Sequence, residues 1–183
     1  MGNRLGNSME APFNNRWPGV LGGCIVILVT VGTQLSFDRL VGAVDEWCGT
    51  HPSIPVFAQV GPTKLHIKHM PYEEFLPPDK ANNLFLEASL IVAHAGMGSV
   101  LTALKYRKPI LIMPRKASLG EHRNDHQLAT AKWLADRSGV TVAWDENEIS
   151  ALLDNYSAFH EGGEIIDQAS PELIARLKSF IIE

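Results

Sequence analysis

From residue 24 onward the chain alternates short apolar runs with amphipathic stretches, and the two periods separate well. CIVILVTV, residues 24–31, is a continuous β-branched run closed by Gly32, as expected of a strand buried on both faces of a parallel sheet. Phe37, Leu40, Val41 and Val44 then recur at helical spacing through residue 47, with Ser36 placed to cap the start and Gly49 just beyond the end. Residues 54–60 predict a second strand, and 64–69, alternating in polarity, a short third. Prolines at 71, 77 and 78 then impose irregular chain. A short helix at 79–87 leads to a strand at 89–93, a helix at 99–106, a strand at 110–113, a helix at 126–137 ending near Gly139, and a strand at 140–143. Amphipathic helices follow at 146–156 and 171–182, Pro171 suiting a first helical turn. This order implies an α/β fold: a Rossmann-like open, mostly parallel sheet with helices on both faces.

Composition bounds the partners. Residues 1–23 are rich in Asn, Gly and Pro and lack periodicity, which predicts a flexible N-terminal arm ahead of one domain over 24–183. A chain of 183 residues, 45% hydrophobic, can bury one sizeable core, and no repeat or linker divides it. The formal charge of -4 argues against a broad nucleic-acid footprint, so no nucleic-acid partner is expected. The run at 24–31 is far shorter than the roughly 20 residues needed to cross a bilayer, so membrane contact is expected to be peripheral. Cys24 and Cys48 form neither metal-ligand nor redox spacing, which fits a reducing cytoplasm.

Candidate chemistry gathers where two strands end. In the doubly wound order 3-2-1-4-5-6 the first and fourth strands are neighbours at the point where the winding reverses, and ligands bind outside their carboxyl ends. Gly32-Thr33-Gln34 and His94-Ala95-Gly96-Met97-Gly98-Ser99 would then face each other across one crevice. Glycines let backbone approach a ligand, and a helix opening near Ser99 offers unpaired amides and a positive dipole end to a diphosphate. Alone, a GxG turn serves tight packing as readily as binding. Leu101 stands where a dinucleotide fingerprint needs its third glycine, and no P-loop spacing is present.

The following loop adds weight. Arg115, Lys116, Glu121, His122, Arg123, Asn124, Asp125, His126 and Gln127 mix cations suited to phosphate with carboxylates and amides suited to sugar hydroxyls. The plain alternative is a solvated loop in which Asn124 and Asp125 cap the next helix. His122 and His126 share helical spacing, but no third ligand is evident and no metal site is expected.

VTVGTQLSFDRLV, HAGMGSVLTALKYRKPILIMPR and GEHRNDHQLA together resemble the C-terminal, donor-binding domain of family 28 glycosyltransferases over about residues 25–139. Within that group the chain is similar to stand-alone subunits of bacterial exopolysaccharide and capsule synthesis, and to the catalytic subunit of the eukaryotic dolichol-linked N-acetylglucosaminyltransferase. The resemblance implies half of a GT-B enzyme. This domain would hold a UDP-sugar, and a membrane-anchored partner subunit would supply the domain for a polyprenyl-diphosphate-linked saccharide acceptor at the cytoplasmic face. It also implies transfer of a hexose, N-acetylhexosamine or uronic acid with inversion and without a metal or other cofactor. By motif, Gly32, Thr33, His94, Gly96, Gly98, Ser99 and Arg115 would surround the diphosphate, and Met97, Glu121, His122, Asp125, His126 and Gln127 would face the donor. Many relatives carry a ribose-binding carboxylate where this chain has Thr102, and Glu121 is a candidate substitute. The general base lies either on the partner or at His94 or His122. A subunit that binds nucleotide-sugar, or stabilises a partner, without doing chemistry is the alternative. Leu173, Ile174, Leu177, Ile181 and Ile182 form an apolar stripe that would dock on the partner or pack on the sheet.

Overall fold

The computed structural model describes residues 27–161; the arm at 1–23, the first residues of the strand starting at 24, and the 171–182 helix lie outside the described residues. The strands are β1 (Ile27–Thr30), β2 (Val56–Gln59), β3 (Tyr72–Glu73), β4 (Leu90–His94), β5 (Ile110–Met113) and β6 (Val140–Val142). The helices are α1 (Asp38–Thr50), α2 (Pro78–Glu87), α3 (Met97–Lys105), α4 (His126–Leu134) and α5 (Asn147–Leu153), with 3-10 turns at Ala117–Leu119 and Tyr156–Ala158.

The sheet order is β3-β2-β1-β4-β5-β6 and every pairing is parallel, which makes it the doubly wound order expected from the sequence. β1 lies between β2 and β4, so that Thr30 is level with Gln59 on one side and Ala93 on the other. Because side chains alternate along a strand, the apolar runs feed two cores. Ile27, Val29, Leu90, Val92, Leu111 and Met113 face α1 and α5, where they meet Leu40, Val44, Trp47, Ile149 and Leu153. Leu28, Ile91, Ala93, Ile110 and Ile112 face the other way, onto Leu84 and Phe85 of α2, Val100 and Leu104 of α3, and Leu134 of α4. Fully burying one such aliphatic side chain is worth about 1.5–3 kcal/mol, which holds the carboxyl ends of β1, β4 and β5 in fixed register.

Three local expectations are corrected. The third strand is Tyr72–Glu73, not 64–69. The backbone N–H groups of Lys68 and His69 donate to the buried Asp45 carboxylate of α1, at 3.0 and 2.8 Å, and so are unavailable to a sheet ladder. Ile67 and Met70 are buried whereas Leu65 is exposed, a spacing that departs from strand alternation. Ser36 does not cap α1. Phe37 occupies the cap position without a side-chain bond, and the helix runs past Gly49 to Thr50. α3 opens at Met97 rather than Ser99, so its first turn is Met97-Gly98-Ser99.

Candidate functional site

The loop after β1 is shaped by backbone contacts. Gly32 has φ +77, a conformation costly for residues with a Cβ. Gln59, buried at the carboxyl end of β2, clamps it. Its Oε1 accepts from Thr30 Oγ1 at 2.8 Å and from the Gly32 N–H at 3.2 Å, and its Nε2 donates to the carbonyls of Gly32 and Glu74 at 3.0 and 2.8 Å. Gly61 (φ +60) passes so close that a Cβ there would lie 2.9 Å from the Gly32 carbonyl oxygen.

Across the crevice, His94 ends β4 and its imidazole lies against both glycine loops. A Cβ on Gly32 would come within 3.1 Å of the ring, and one on Gly96 within 2.1 Å of Nε2. Gly96 therefore makes room for the imidazole. Gly98, by contrast, faces open space. The first-turn amides of α3 have no carbonyl one turn earlier to bond, and they point out of the helix end towards the crevice with the positive end of the dipole. Thr102 turns its hydroxyl back to the Gly98 carbonyl at 2.8 Å.

The loop from β5 to α4 closes the third side. Gln127, buried in the first turn of α4, accepts the Arg115 N–H through Oε1 at 3.2 Å, leaving its amide nitrogen as the end able to donate to a ligand. Arg115 is itself buried, and its terminal nitrogens donate to the carbonyls of Val31 and Leu35, both at 2.8 Å, Ser36, and Glu121 at 3.2 Å. The Glu121 carboxylate is paired elsewhere. It accepts from Arg39 Nε and Nη2 at 2.8 and 2.9 Å and from the Lys116 N–H at 2.8 Å. Arg39 also reaches Glu146 at 2.8 Å, and hydrogen bonding to Glu121 before all else raises its pKa further.

A cavity of about 440 Å³ lies between these loops. It brings together Gly32, Thr33, Gln34, His94, Gly98, Ser99, Arg115, His122 and Gln127 of the residues expected from the sequence, and it adds Thr102, Leu35 and Phe85. Gly96, Met97, Glu121, Asp125 and His126 do not line it. Met97 is exposed, and Asp125 Oδ1 accepts the Ala117 N–H at 2.8 Å instead of capping α4. Glu121, the candidate ribose carboxylate, is not among the cavity-lining residues, and both its carboxylate oxygens accept from Arg39. Arg115 borders the cavity, but its terminal N–H groups donate to the protein's own carbonyls.

Arg115 is a buried cation at the edge of the cavity. Burial, followed by the Arg115 charge, lowers the His94 pKa to about 4, so its imidazole is neutral at physiological pH. Nδ1 of His94 and Nδ1 of His122 are buried and lack a hydrogen-bond partner. The His122 and His126 rings meet edge to face at 5.2 Å, and among the described residues no three His, Cys, Asp or Glu side chains converge as a metal site. Gln59, Gly61, Leu35 and Phe85 were not anticipated. A glutamine closing the apolar run VFAQ just ahead of a glycine was the available signal for the first two, whereas nothing in the spacing of α2 marks Phe85.

Fold and cavity together define a doubly wound α/β domain with a cleft at its switch point, lined by a helix N-terminus and a second, polar loop. The chain belongs to the glycosyltransferase family 28 C-terminal domain family, whose model matches residues 26–157. It is 25% identical over 145 residues to the UDP-N-acetylglucosamine transferase subunit ALG13 of Yarrowia lipolytica (strain CLIB 122 / E 150), a match covering 70% of this chain and 69% of that protein. Among solved structures it is similar to the NMR solution structure of ALG13, with TM-score 0.53 and 17% identity over 83% of this chain and 94% of that one. It is also similar to the glycosyltransferase of kitacinnamycin, with TM-score 0.54 and 15% identity over 98% of this chain. The chain spans 42% of the latter's length. The fold is that of a GT-B glycosyltransferase C-terminal domain.

Proposed function

We propose that this chain is the donor-binding and catalytic subunit of a UDP-sugar-dependent hexosyltransferase that works with a membrane-anchored, acceptor-binding partner on a polyprenyl-diphosphate-linked saccharide, in exopolysaccharide or capsule synthesis. The observation that carries the reading is the cavity in which the α3 amides, Ser99 and Gln127 converge beside His94. In this reading the Gly98-Ser99 end of α3 holds the donor diphosphate, and Gln127 donates to the sugar through its amide nitrogen.

An acceptor hydroxyl oxygen attacks the anomeric carbon from the face opposite the leaving group. The bond from that carbon to the diphosphate oxygen breaks, UDP departs with the electron pair, and the configuration inverts. The charge developing on the diphosphate meets preorganised amides and the field of Arg115, so the reading requires no metal. The attacking hydroxyl must lose its proton. Among the cavity-lining residues none is Asp or Glu, and His94 with its pKa near 4 is a weak acceptor at neutral pH. This favours a base supplied by the partner across the open side of the cleft, with His122 the candidate on this chain. The same observation supports the second reading, a subunit that binds nucleotide-sugar without doing chemistry.

Calorimetry with UDP, NAD and ATP, together with sugar transfer from UDP-sugars to polyprenyl-linked acceptors after co-expression with the acceptor-side chain, tests both readings. Gly98→Val places its side chain in open space and should fold normally, yet it fills the approach to the α3 amides. We expect Gly98→Val and Gln127→Ala to lose at least tenfold in transfer while remaining folded and partner-bound. Normal transfer by both variants would end the catalytic-donor reading, and failure of the wild-type chain to bind UDP would end both.

A further inference from the structure

We infer that Arg115 is the positioning residue of the cleft: its guanidinium staples the loop after β1 to the loop after β5, and Arg39 anchors that staple from outside through Glu121. The inference rests on the donor-site reading for its ligand but on geometry alone for the staple. One terminal nitrogen of Arg115 bridges the carbonyls of Val31 and Leu35, and the other joins Ser36 to Glu121, so one planar fork ties residues 31–36 to residue 121. Only 3% of the residue is exposed, and its guanidinium carbon stands 4.6 Å from the centre of the Phe37 ring.

A buried cation is retained only where other groups compensate it, and here carbonyl dipoles do so, without direct contact from a carboxylate among the described residues. The carboxylate of Glu121, whose charge acts on Arg115, is held in both oxygens by Arg39, which also donates to the Pro114 carbonyl at 3.1 Å. Glu121 therefore receives Arg39 on its side chain and Arg115 on its backbone. The crevice between the two loops is as wide as this relay makes it. Lysine has one nitrogen on a flexible stem and cannot reproduce a fork spanning both loops, so Arg115→Lys keeps the charge and breaks the device.

The test compares Arg115→Lys and Arg115→Met with wild type and with Ile149→Val, a core change under α5 that trims stability away from the cleft. Hydrogen exchange of the ligand-free chain and calorimetric UDP affinity are measured well below each melting midpoint. We expect both Arg115 variants to exchange at least tenfold faster at residues 33–36 and 121–124 and to lose UDP affinity by a similar factor of ten or more, with Ile149→Val unchanged in affinity. Near-normal affinity in Arg115→Lys beside a tenfold loss in Arg115→Met would overturn the inference, because charge and not fork geometry would then matter. Unchanged loop exchange in both would overturn it equally. Should neither variant fold, Arg39→Gln decides: Arg39 does not line the cavity, so a severalfold loss of UDP affinity with faster exchange at 115–124 supports the relay, and unchanged affinity refutes it. If wild type itself fails to bind UDP, the donor-site reading falls, and the ligand-free exchange still decides the staple.

Discussion

With its pKa held near 4 by burial and by the Arg115 cation, the His94 imidazole couples the cleft to the acid stability of the protein. In the unfolded chain a histidine binds its proton near pH 6.5, so between 6.5 and 4 the unfolded state carries more protons than the folded one. Folding stability is therefore full above the unfolded value and declines as pH falls through this window. A shift of this size corresponds to a loss of about 2 kcal/mol between pH 7 and pH 5 from this residue alone. His94→Asn should remove that component. Urea unfolding at both pH values would then show the wild type losing stability on acidification by about 2 kcal/mol more than the variant. Parallel losses in the two proteins would mean that His94 titrates normally in the fold.

At the scale of elements, five of the six strands were legible because their apolar runs are continuous, and their alternation with helices implied an open, mostly parallel sheet, for which the doubly wound order is the common arrangement. The crevice between β1 and β4 was legible for the same reason, as were the residues that topology brings to it. What the sequence left unread is decided by partners distant along the chain. Glu121 reads as a free carboxylate until Arg39, 82 residues away, pairs with both its oxygens, and Arg115 as a free cation until the carbonyls of residues 31–36 accept from its fork. Residues 64–69 alternate as a strand would, yet Asp45 on α1 captures their final N–H groups. The β2 end shows how strictly such contacts act. Gly61→Ala puts a Cβ into a left-handed backbone and 2.9 Å from the Gly32 carbonyl oxygen, which is backbone and cannot rotate away. A cost of about 1–3 kcal/mol in chemical denaturation is expected, with Gly98→Ala near neutral as the control. A change below about 0.5 kcal/mol at Gly61 would mean that this turn is looser than its contacts imply.

Over the whole molecule, the cleft lies at the carboxyl ends of β1, β4 and β5 and joins both halves of the sheet, while a second cavity of about 370 Å³ lies at the start of β6 beside α5. The two are at opposite ends of the strands, which supplies an internal control. A ligand that binds only the folded protein stabilises it by about 2.7 kcal/mol at a hundred times its dissociation constant. That free energy slows exchange everywhere that opens by global unfolding. Segments that open locally respond only where the ligand touches them or where a contact transmits its binding. UDP is therefore expected to slow exchange at residues 97–100, where the diphosphate would sit, and at 31–36 and 114–122 together, because the Arg115 fork joins those two loops and Gln127 holds the Arg115 backbone, and to leave locally opening amides at 155–160 unaffected. Hydrogen-exchange mass spectrometry with and without saturating UDP measures this directly. Protection confined to the α3 turn would show that the loops move independently, and uniform protection including 155–160 would show that all these amides exchange only through complete unfolding.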